Sequence, residues 1–308
     1  MSQCSTVTKV KAMTRSFLFC LLLGGVAAAA SAAPLPKSDA ERACWQRYTR
    51  ERTRLDLKEL TAVSFTNLRN GYRVRSPFLV EFGIKGMGVV PAGKALEGTG
   101  HHHILVDTRM PNSVSEKLPF NDGHKHFGKG QTFAVLDLPP GKHTLRLLFA
   151  DHEHRPYFVF SPEITVEVVA RRTAEPLKID PAQFEASCAA WYQDEMSKPR
   201  GPGEWVTVTN VRDGEALVSP FTLNFGVDGF GVCAKGQTAD RSGHFMLDVV
   251  QQGRVVQALD LSNGATQANL FVPVGSYQIK LRFVDGKTQR DLLPPHEQSV
   301  VVTAQERL

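Results

Sequence analysis

The chain has 308 residues, with 36 Lys and Arg against 31 Asp and Glu, and a formal net charge of +5. Three of the basic residues fall within the first 32 positions, so the remainder carries 33 basic against 31 acidic residues, a net charge of +2. That balance argues against a nucleic-acid partner. Roughly 275 residues remain, enough for two domains with ordinary hydrophobic cores.

The N-terminus has the pattern of a secretory signal peptide. Lys9, Lys11 and Arg15 precede an apolar stretch over residues 16–30, and the small-residue sequence Ala-Ser-Ala closes it at 30–32. Such a basic, apolar and small-residue order predicts cleavage after residue 32. The apolar stretch is shorter than the roughly 20 residues that a membrane-spanning helix needs. We therefore expect a periplasmic or secreted protein with no transmembrane segment in the mature chain.

The rest of the sequence repeats itself. A shift of 143 positions places "FGIKGMGV" (residues 82–89) on "FGVDGFGV" (residues 225–232). After a nine-residue deletion the shift becomes 134, and "LDLPPGKHTLRLLFAD" (136–151) falls on "LFVPVGSYQIKLRFVD" (270–285). The chain therefore contains two copies of one domain, called here the first copy and the second copy.

Each copy has short runs rich in Val, Leu, Phe and Thr, separated by turn dipeptides such as Asn-Gly, Asp-Gly and Pro-Gly. Alternation is clear in one run, where Leu145, Leu147 and Phe149 share a face opposite to Thr144 and Arg146. The pattern predicts a mainly β protein with two tandem immunoglobulin-like β-sandwiches. A jelly roll is the main alternative.

A short helix is predicted before each copy, because Ser38-Asp39-Ala40-Glu41 and Asp180-Pro181-Ala182-Gln183 resemble N-terminal caps. The expected organisation is a signal peptide over 1–32, a helical segment over 33–60, a first sandwich over 61–171, a linker and helix over 172–202, and a degenerate second sandwich over 203–308.

Removal of the signal peptide leaves three cysteines, Cys44, Cys188 and Cys233. An exported protein with three cysteines can hold one disulfide. We expect Cys188 to pair with Cys233, because a helix packed on its own domain brings these two closer than a link between domains. The alternative is Cys44 with Cys188, which occupy similar places on the two predicted helices.

Seven of the ten histidines fall into three groups of the first copy, and each group contains a His-x-His pair. Residues two apart on a strand project from the same face, so each pair can offer two imidazoles to one point. The candidate metal ligands are His101, His103, His124, His126, His152 and His154. The candidate supporting residues are His102, Asp107 and Asp151.

The second copy serves as an internal control for these histidines. Only His101 has a histidine counterpart, His244, while Phe245 and Met246 stand opposite His102 and His103. The histidines are therefore not needed to build the sandwich. Imidazoles without neighbouring Met or Cys favour Zn(II), Cu(II) or Ni(II) over Cu(I).

Four segments of the first copy resemble a known bacterial exported family called domain of unknown function 4399. They are "GTGHHHILVD", "HKHFGKGQT", "LPPGKHTLRLLFADHEHRP" and "SPEITVEV", which together cover most of residues 82–168. The second copy resembles the family only in its glycines, its Gly-His dipeptide and its Pro-x-Gly strand entry. The resemblance implies an exported β domain and supplies no established activity.

The leading hypothesis is a non-enzymatic periplasmic protein that binds a metal ion or small ligand through its His-x-His pairs. A second hypothesis is a metal-dependent enzyme with three histidines on the metal and Asp107, Asp151 or Glu153 as a base. A third is an envelope adhesion or interaction module without metal, which leaves the difference in histidine content between the copies unexplained.

Overall fold

The computed structural model describes residues 32–55, 57, 62–237 and 239–304. The predicted signal peptide lies outside the described residues, apart from Ala32. Within the described ranges, no helix combines the length and the apolar composition that crossing a bilayer requires.

Two short helices, α1 (Asp39–Arg47) and α2 (Thr49–Arg52), precede the first copy. In the part of the chain that the structure describes, the first copy has ten strands. They are β1 (Ala62–Phe65), β2 (Tyr72–Ser76), β3 (Phe78–Lys85), β4 (Gly88–Val89), β5 (Thr99–Val106), β6 (His124–Phe127), β7 (Phe133–Leu136), β8 (Gly141–Ala150), β9 (Pro156–Phe160) and β10 (Ile164–Arg171).

A 3-10 turn (Pro181–Gln183) and helix α3 (Phe184–Met196) precede the second copy. Its described residues form nine strands. They are β11 (Trp205–Val208), β12 (Glu215–Val218), β13 (Phe221–Asp228), β14 (Gly231–Val232), β15 (Ser242–Gln251), β16 (Arg254–Asp260), β17 (Gln267–Leu270), β18 (Gly275–Asp285) and β19 (His296–Thr303).

Both predicted helix starts are confirmed. The Ser38 side chain accepts a hydrogen bond from the Glu41 amide at 3.3 Å. The Asp180 side chain accepts one from the Ala182 amide at 2.9 Å, with Pro181 in the first turn. Each cap satisfies an amide that has no partner inside its helix.

Each copy is an immunoglobulin-like β-sandwich, as predicted. In the first copy, a sheet in the order β1-β3-β7 packs on a sheet in the order β4-β5-β8-β10-β2, with β6 added to β5 and β9 to β8. The second copy repeats both orders as β11-β13-β17 and β14-β15-β18-β19-β12, with β16 added to β15. The shared strand order confirms the internal repeat.

The core of the first copy lies between its two sheets. Leu145, Leu147 and Phe149 of β8 are buried there against Ile104 of β5 and Phe82 of β3. The alternation of the sequence therefore places the expected face of β8 inward. Burial of such side chains, worth about 1.5–3 kcal/mol each, is the main force that holds the sandwich together.

The two copies meet along a pseudo-twofold axis. Val89 of β4 pairs antiparallel with Val232 of β14, which joins the two larger sheets into one continuous sheet. Nearby, the Ile84 amide donates to Thr266 Oγ1 at 3.0 Å, and the equivalent Val227 amide donates to Thr132 Oγ1 at 3.3 Å. Equivalent residues thus contact each other, as in the self-complementary interface of a twofold dimer.

The helices that precede each copy form ion pairs with the other copy. Arg52 of α2 forms a buried ion pair with Glu215 of β12, in the second copy. Asp194 of α3 forms one with Arg75 of β2, in the first copy, at 2.7 Å. Burial of these charges is tolerated because each is paired and further bonded, as Glu215 is by the Thr49 hydroxyl at 2.6 Å. The helix before one copy therefore ties that copy to the other.

The predicted disulfide between Cys188 and Cys233 is wrong. Cys188 bonds instead to Cys44, with the two Cα atoms 5.5 Å apart. Cys233 is a buried free thiol next to the Ser242 hydroxyl, at 3.2 Å. The prediction failed because α3 does not pack only on its own copy: it packs against α1 across the pseudo-twofold axis, where equivalent positions of the two helices meet.

Candidate metal centre

The three consecutive histidines of strand β5 lie on two opposite faces of the strand. The ring of His102 lies in the core, 4.8 Å from the ring of Phe82 and 5.0 Å from that of Phe149. His101 and His103 project from the opposite face, with their Nε2 atoms 3.1 Å apart. All three are fully buried. The pair predicted to act together is therefore formed by alternation along one strand.

Strand β6 adds a third imidazole. Its antiparallel register places His126 directly opposite His103. The ring centre of His126 lies 5.0 Å from that of His103 and 4.9 Å from that of His101. Cross-strand neighbours on one face come this close by the geometry of the sheet.

The turn between β8 and β9 adds a fourth. His154 has a backbone φ of 71°, and its Nε2 lies 3.2 Å from Nε2 of His126. Its amide donates to the Asp151 carbonyl at 3.0 Å, and its carbonyl accepts from the Leu118 amide at 2.9 Å. We call His101, His103, His126 and His154 the histidine cluster.

The spacing of the nitrogens fits one small metal ion. One ring nitrogen from each of His101, His103 and His126 lies within 4.8 Å of the other two. Bonds of about 2 Å at tetrahedral angles would place ligand nitrogens roughly 3.3 Å apart. The Nε2 separations of 3.1 and 3.2 Å within the cluster are close to that value.

Burial keeps the imidazoles of the cluster neutral. It lowers the pKa of His101 to about 3 and that of His103 to about 2, and the neighbouring histidines add to both shifts. Burial also lowers the pKa of His126 and of His154. A neutral imidazole keeps a lone pair on one nitrogen, which is the form that binds a metal ion.

Phe120 covers the cluster and was missed by sequence reasoning. Its ring centre lies 4.9 Å from that of His126 and 5.0 Å from that of His154, while 63% of the residue stays exposed. Its only sequence signal is an aromatic side chain within a polar segment of the first copy. Phe120 forms an apolar cover between the outer two imidazoles and solvent.

Two predicted ligands do not join the cluster. His124 lies opposite Leu105, two residues before His126 in β6, and its Nδ1 is 2.9 Å from Asn121 Oδ1. His152 lies in the β8–β9 turn, where its carbonyl accepts a hydrogen bond from the Gly93 amide at 3.0 Å. Among the described residues, neither ring contacts the four of the cluster.

Of the two aspartates predicted to support the metal ligands, one lies next to the histidine cluster and the other does not. Asp151 Oδ1 accepts hydrogen bonds from the Glu153 and Arg155 amides, both at 2.8 Å, and so shapes the turn that carries His154. Asp107 does not support the cluster: its carboxylate binds His143 Nδ1 at 2.7 Å and the Thr144 amide at 2.7 Å. The role predicted for Asp107 is wrong because β5 ends at Val106, and Asp107 lies beside the neighbouring strand β8 at His143 and Thr144.

The second copy fills the corresponding place with other chemistry. His244 lies 3.2 Å from Asp260, which stands opposite Met246 as His126 stands opposite His103. The Arg282 guanidinium lies 3.9 Å from the Met246 sulfur and also pairs with Asp291. A cationic side chain beside the Met246 sulfur disfavours a metal ion there.

The family described as Domain of unknown function (DUF4399) matches residues 80–169. That range contains the whole histidine cluster and none of the second copy. The match confirms the family resemblance of the first copy, whereas that of the second copy stays a prediction. No curated protein matches the chain.

Several solved structures are similar to parts of the chain. The fibronectin(III)-like modules of Clostridium thermocellum CbhA share 11% identity over 79% of this chain and 94% of that chain, with a TM-score of 0.22. CopC from Methylosinus trichosporium OB3b shares 18% sequence identity over 31% of this chain and 89% of its own chain, with a TM-score of 0.20. A two-domain fibronectin type III segment of chicken tenascin shares 10% sequence identity over 79% of this chain and 98% of its own chain, with a TM-score of 0.20. Scores this low carry no argument about function.

Proposed function

We propose that the first copy, whose residues 80–169 match the DUF4399 family, binds one Zn(II), Cu(II) or Ni(II) ion through the histidine cluster. The observation that supports this most directly is the convergence of ring nitrogens from His101, His103 and His126 within 4.8 Å. Neutral imidazole is a suitable ligand for each of these ions.

The cluster favours binding over catalysis. Catalytic zinc sites use three protein ligands and keep one position open for water or substrate. Here a fourth imidazole, His154, lies beside the other three, with its Nε2 at 3.2 Å from Nε2 of His126, and can take the position that water or substrate would need. Phe120 then covers the outer side. The proposed role is that of a metal carrier or store.

The comparison between the copies supports a functional reason for the cluster. The two copies share their strand order, so the sandwich forms with or without these imidazoles. The second copy has Met246 and Asp260 at the positions of His103 and His126. A feature confined to one of two similar folds is better explained by ligand binding than by folding.

The test is metal binding by untagged protein. Calorimetry and elemental analysis with Zn(II), Cu(II) and Ni(II) should give one equivalent for the wild type and none for a variant with both His103→Ala and His154→Ala. His124→Ala with His152→Ala is the matched control, because it also removes two histidines of the first copy but none of the cluster. Less than one equivalent in the wild type, or an equal loss in the control, would contradict the proposal.

We further propose that the protein acts in the periplasm after removal of residues 1–32. The basic start, apolar stretch and Ala-Ser-Ala sequence support export. Cell fractionation should recover the protein with the periplasm, and intact-mass measurement should place its first residue at Ala33. A cytoplasmic protein that retains residues 1–32 would contradict this part of the proposal.

A further inference from the structure

Gly128 follows β6 directly and lies against the ring of His126. A Cβ atom built on Gly128 would fall 2.2 Å from Cε1 and 2.3 Å from Nε2 of His126. It would also fall 3.0 Å from Cβ of Ala92. The first two distances are well below van der Waals contact, so the imidazole occupies the space that any side chain at position 128 would need.

The backbone does not require glycine at this position. Gly128 does not have a positive φ, unlike Gly130, whose φ is 78°. The counterpart of Gly128 in the second copy is Ser262, two residues after Asp260 as Gly128 is two after His126. Glycine is therefore needed at position 128 because the His126 ring leaves no room for a Cβ atom, and not because of the backbone conformation.

The same backbone hydrogen bond forms in both copies. The Ala92 amide donates to the Gly128 carbonyl at 2.9 Å, and the equivalent Lys235 amide donates to the Ser262 carbonyl at 2.8 Å. A residue with a side chain is thus accommodated in the second copy, where the residue two positions earlier is Asp260 rather than a histidine.

A side chain at position 128 would move the ring of His126 rather than the backbone. The hydrogen bond from the Ala92 amide and the nearby Ala92 Cβ restrict movement of the Gly128 backbone away from His126. The His126 ring is only partly buried and can rotate toward solvent. Its Nε2 would then leave the other donors, and the cluster would lose a ligand while keeping every histidine.

Packing is also the main means by which this cluster orients its rings. Ligating histidines usually donate their second ring nitrogen to a carboxylate or carbonyl, which fixes the ring. Nδ1 of His101 and Nδ1 of His103 are buried without a hydrogen-bond partner among the described residues. Steric contacts such as that between Gly128 and His126 therefore determine where the donor atoms point.

We infer that Gly128 is a positioning residue for the metal site, which holds His126 in the cluster by leaving room for its imidazole. The inference rests on the proposed function. It predicts that Gly128→Ala removes the contribution of His126 to metal binding without changing the fold.

The experiment is a double-mutant cycle on full-length mature protein with Zn(II) as the probe. Gly128→Ala should weaken Zn(II) binding by about 10-fold to 100-fold, the range typical of changes to groups that orient a ligating histidine. Added to His126→Ala, the same change should cause no further loss, because the residue on which it acts is already absent. Wild-type affinity for Gly128→Ala, or an additive loss in the double variant, would overturn the inference.

Two controls separate this inference from its premise. Gly201→Ala should leave Zn(II) binding unchanged, because a Cβ there meets no atom within 4 Å. In metal-free protein, Gly128→Ala should shift the NMR signal of the His126 Cε1 proton while the thermal unfolding midpoint stays near that of the wild type. An unshifted signal would overturn the inference, even if the wild type binds no Zn(II) and the proposed function fails by itself.

Discussion

A disulfide bond joins Cys44 of α1 to Cys188 of α3, which are 144 positions apart along the chain and have 5.5 Å between their Cα atoms. Four residues after each cysteine, the rings of Tyr48 and Tyr192 stack at 4.0 Å with their planes 6° apart. Both pairs join equivalent positions of the two helices. The disulfide therefore lies close to the pseudo-twofold axis and links the segments that precede the two copies.

Loss of this disulfide should destabilise the protein. Replacing Cys44 and Cys188 by Ala should lower the free energy of unfolding by about 2–5 kcal/mol, because the bond closes a long loop of the unfolded chain. Denaturant unfolding measures the change. Each single replacement should cost about as much as the double one, since either removes the same bond. A double variant as stable as the oxidised wild type would contradict the prediction.

Replacing His102 by Phe should stabilise the first copy. Both ring nitrogens of His102 are buried without a hydrogen-bond partner among the described residues, and its pKa is lowered by burial to about 3. The second copy has Phe245 in the same setting, with its ring 5.1 Å from that of Phe283. An unsatisfied buried polar group costs about 1–3 kcal/mol, so His102→Phe should raise the free energy of unfolding by a similar amount.

The reverse change supplies the control for His102. Phe245→His places an imidazole in the apolar core of the second copy and should lower the free energy of unfolding. Equal destabilisation by His102→Phe and Phe245→His in thermal or denaturant unfolding would show that His102 has a structural role that its surroundings do not reveal.

Asp151 should matter for metal binding although it is not a ligand. Asp151→Ala removes the acceptor for the Glu153 and Arg155 amides and frees the turn that carries His154. We expect Zn(II) binding to weaken by about 10-fold or more. Asp285 shapes the equivalent turn of the second copy, so Asp285→Ala should lower stability without changing Zn(II) affinity. Equal Zn(II) affinities for the two variants would contradict the prediction.

His143 and Asp107 should give the first copy a pH-dependent stability. Burial opposes the charged form of His143, but hydrogen bonds to Asp107 and the Pro139 carbonyl prevail and raise its pKa above 6.5. Burial likewise opposes ionised Asp107, but hydrogen bonds from His143 and Thr144 lower its pKa below 3.8. The stabilisation from His143 is therefore complete below pH 6.5 and is lost as the pH rises through its raised pKa.

The stabilisation from Asp107 has the opposite dependence: it is present above pH 3.8 and is lost as the pH falls through the lowered pKa. The pair should contribute most between about pH 4 and 6.5. His143→Tyr is a suitable variant, because Tyr277, its counterpart, donates to the Pro273 carbonyl at 2.9 Å as His143 contacts that of Pro139. The free energy of unfolding should fall above pH 6.5 in the wild type and fall less in His143→Tyr. An equal fall in the wild type and in His143→Tyr would contradict the prediction.

The sequence by itself determined the features that depend on local pattern. Period-two alternation indicated the strands and the inward face of β8, and the repeat indicated two sandwiches. The same alternation separated His102 from His101 and His103, because successive side chains of a strand point to opposite faces. The difference between His103 and its counterpart Met246 also pointed to the first copy as the site of any chemistry.

The tertiary structure alone decided which distant elements meet. The register of β6 on β5 selected His126 over His124, and the β8–β9 turn selected His154 over His152. Packing of α1 against α3 selected Cys44 as the partner of Cys188. Strand register and helix docking depend on side-chain packing between segments far apart in the chain, and a single sequence contains no local signal for such contacts.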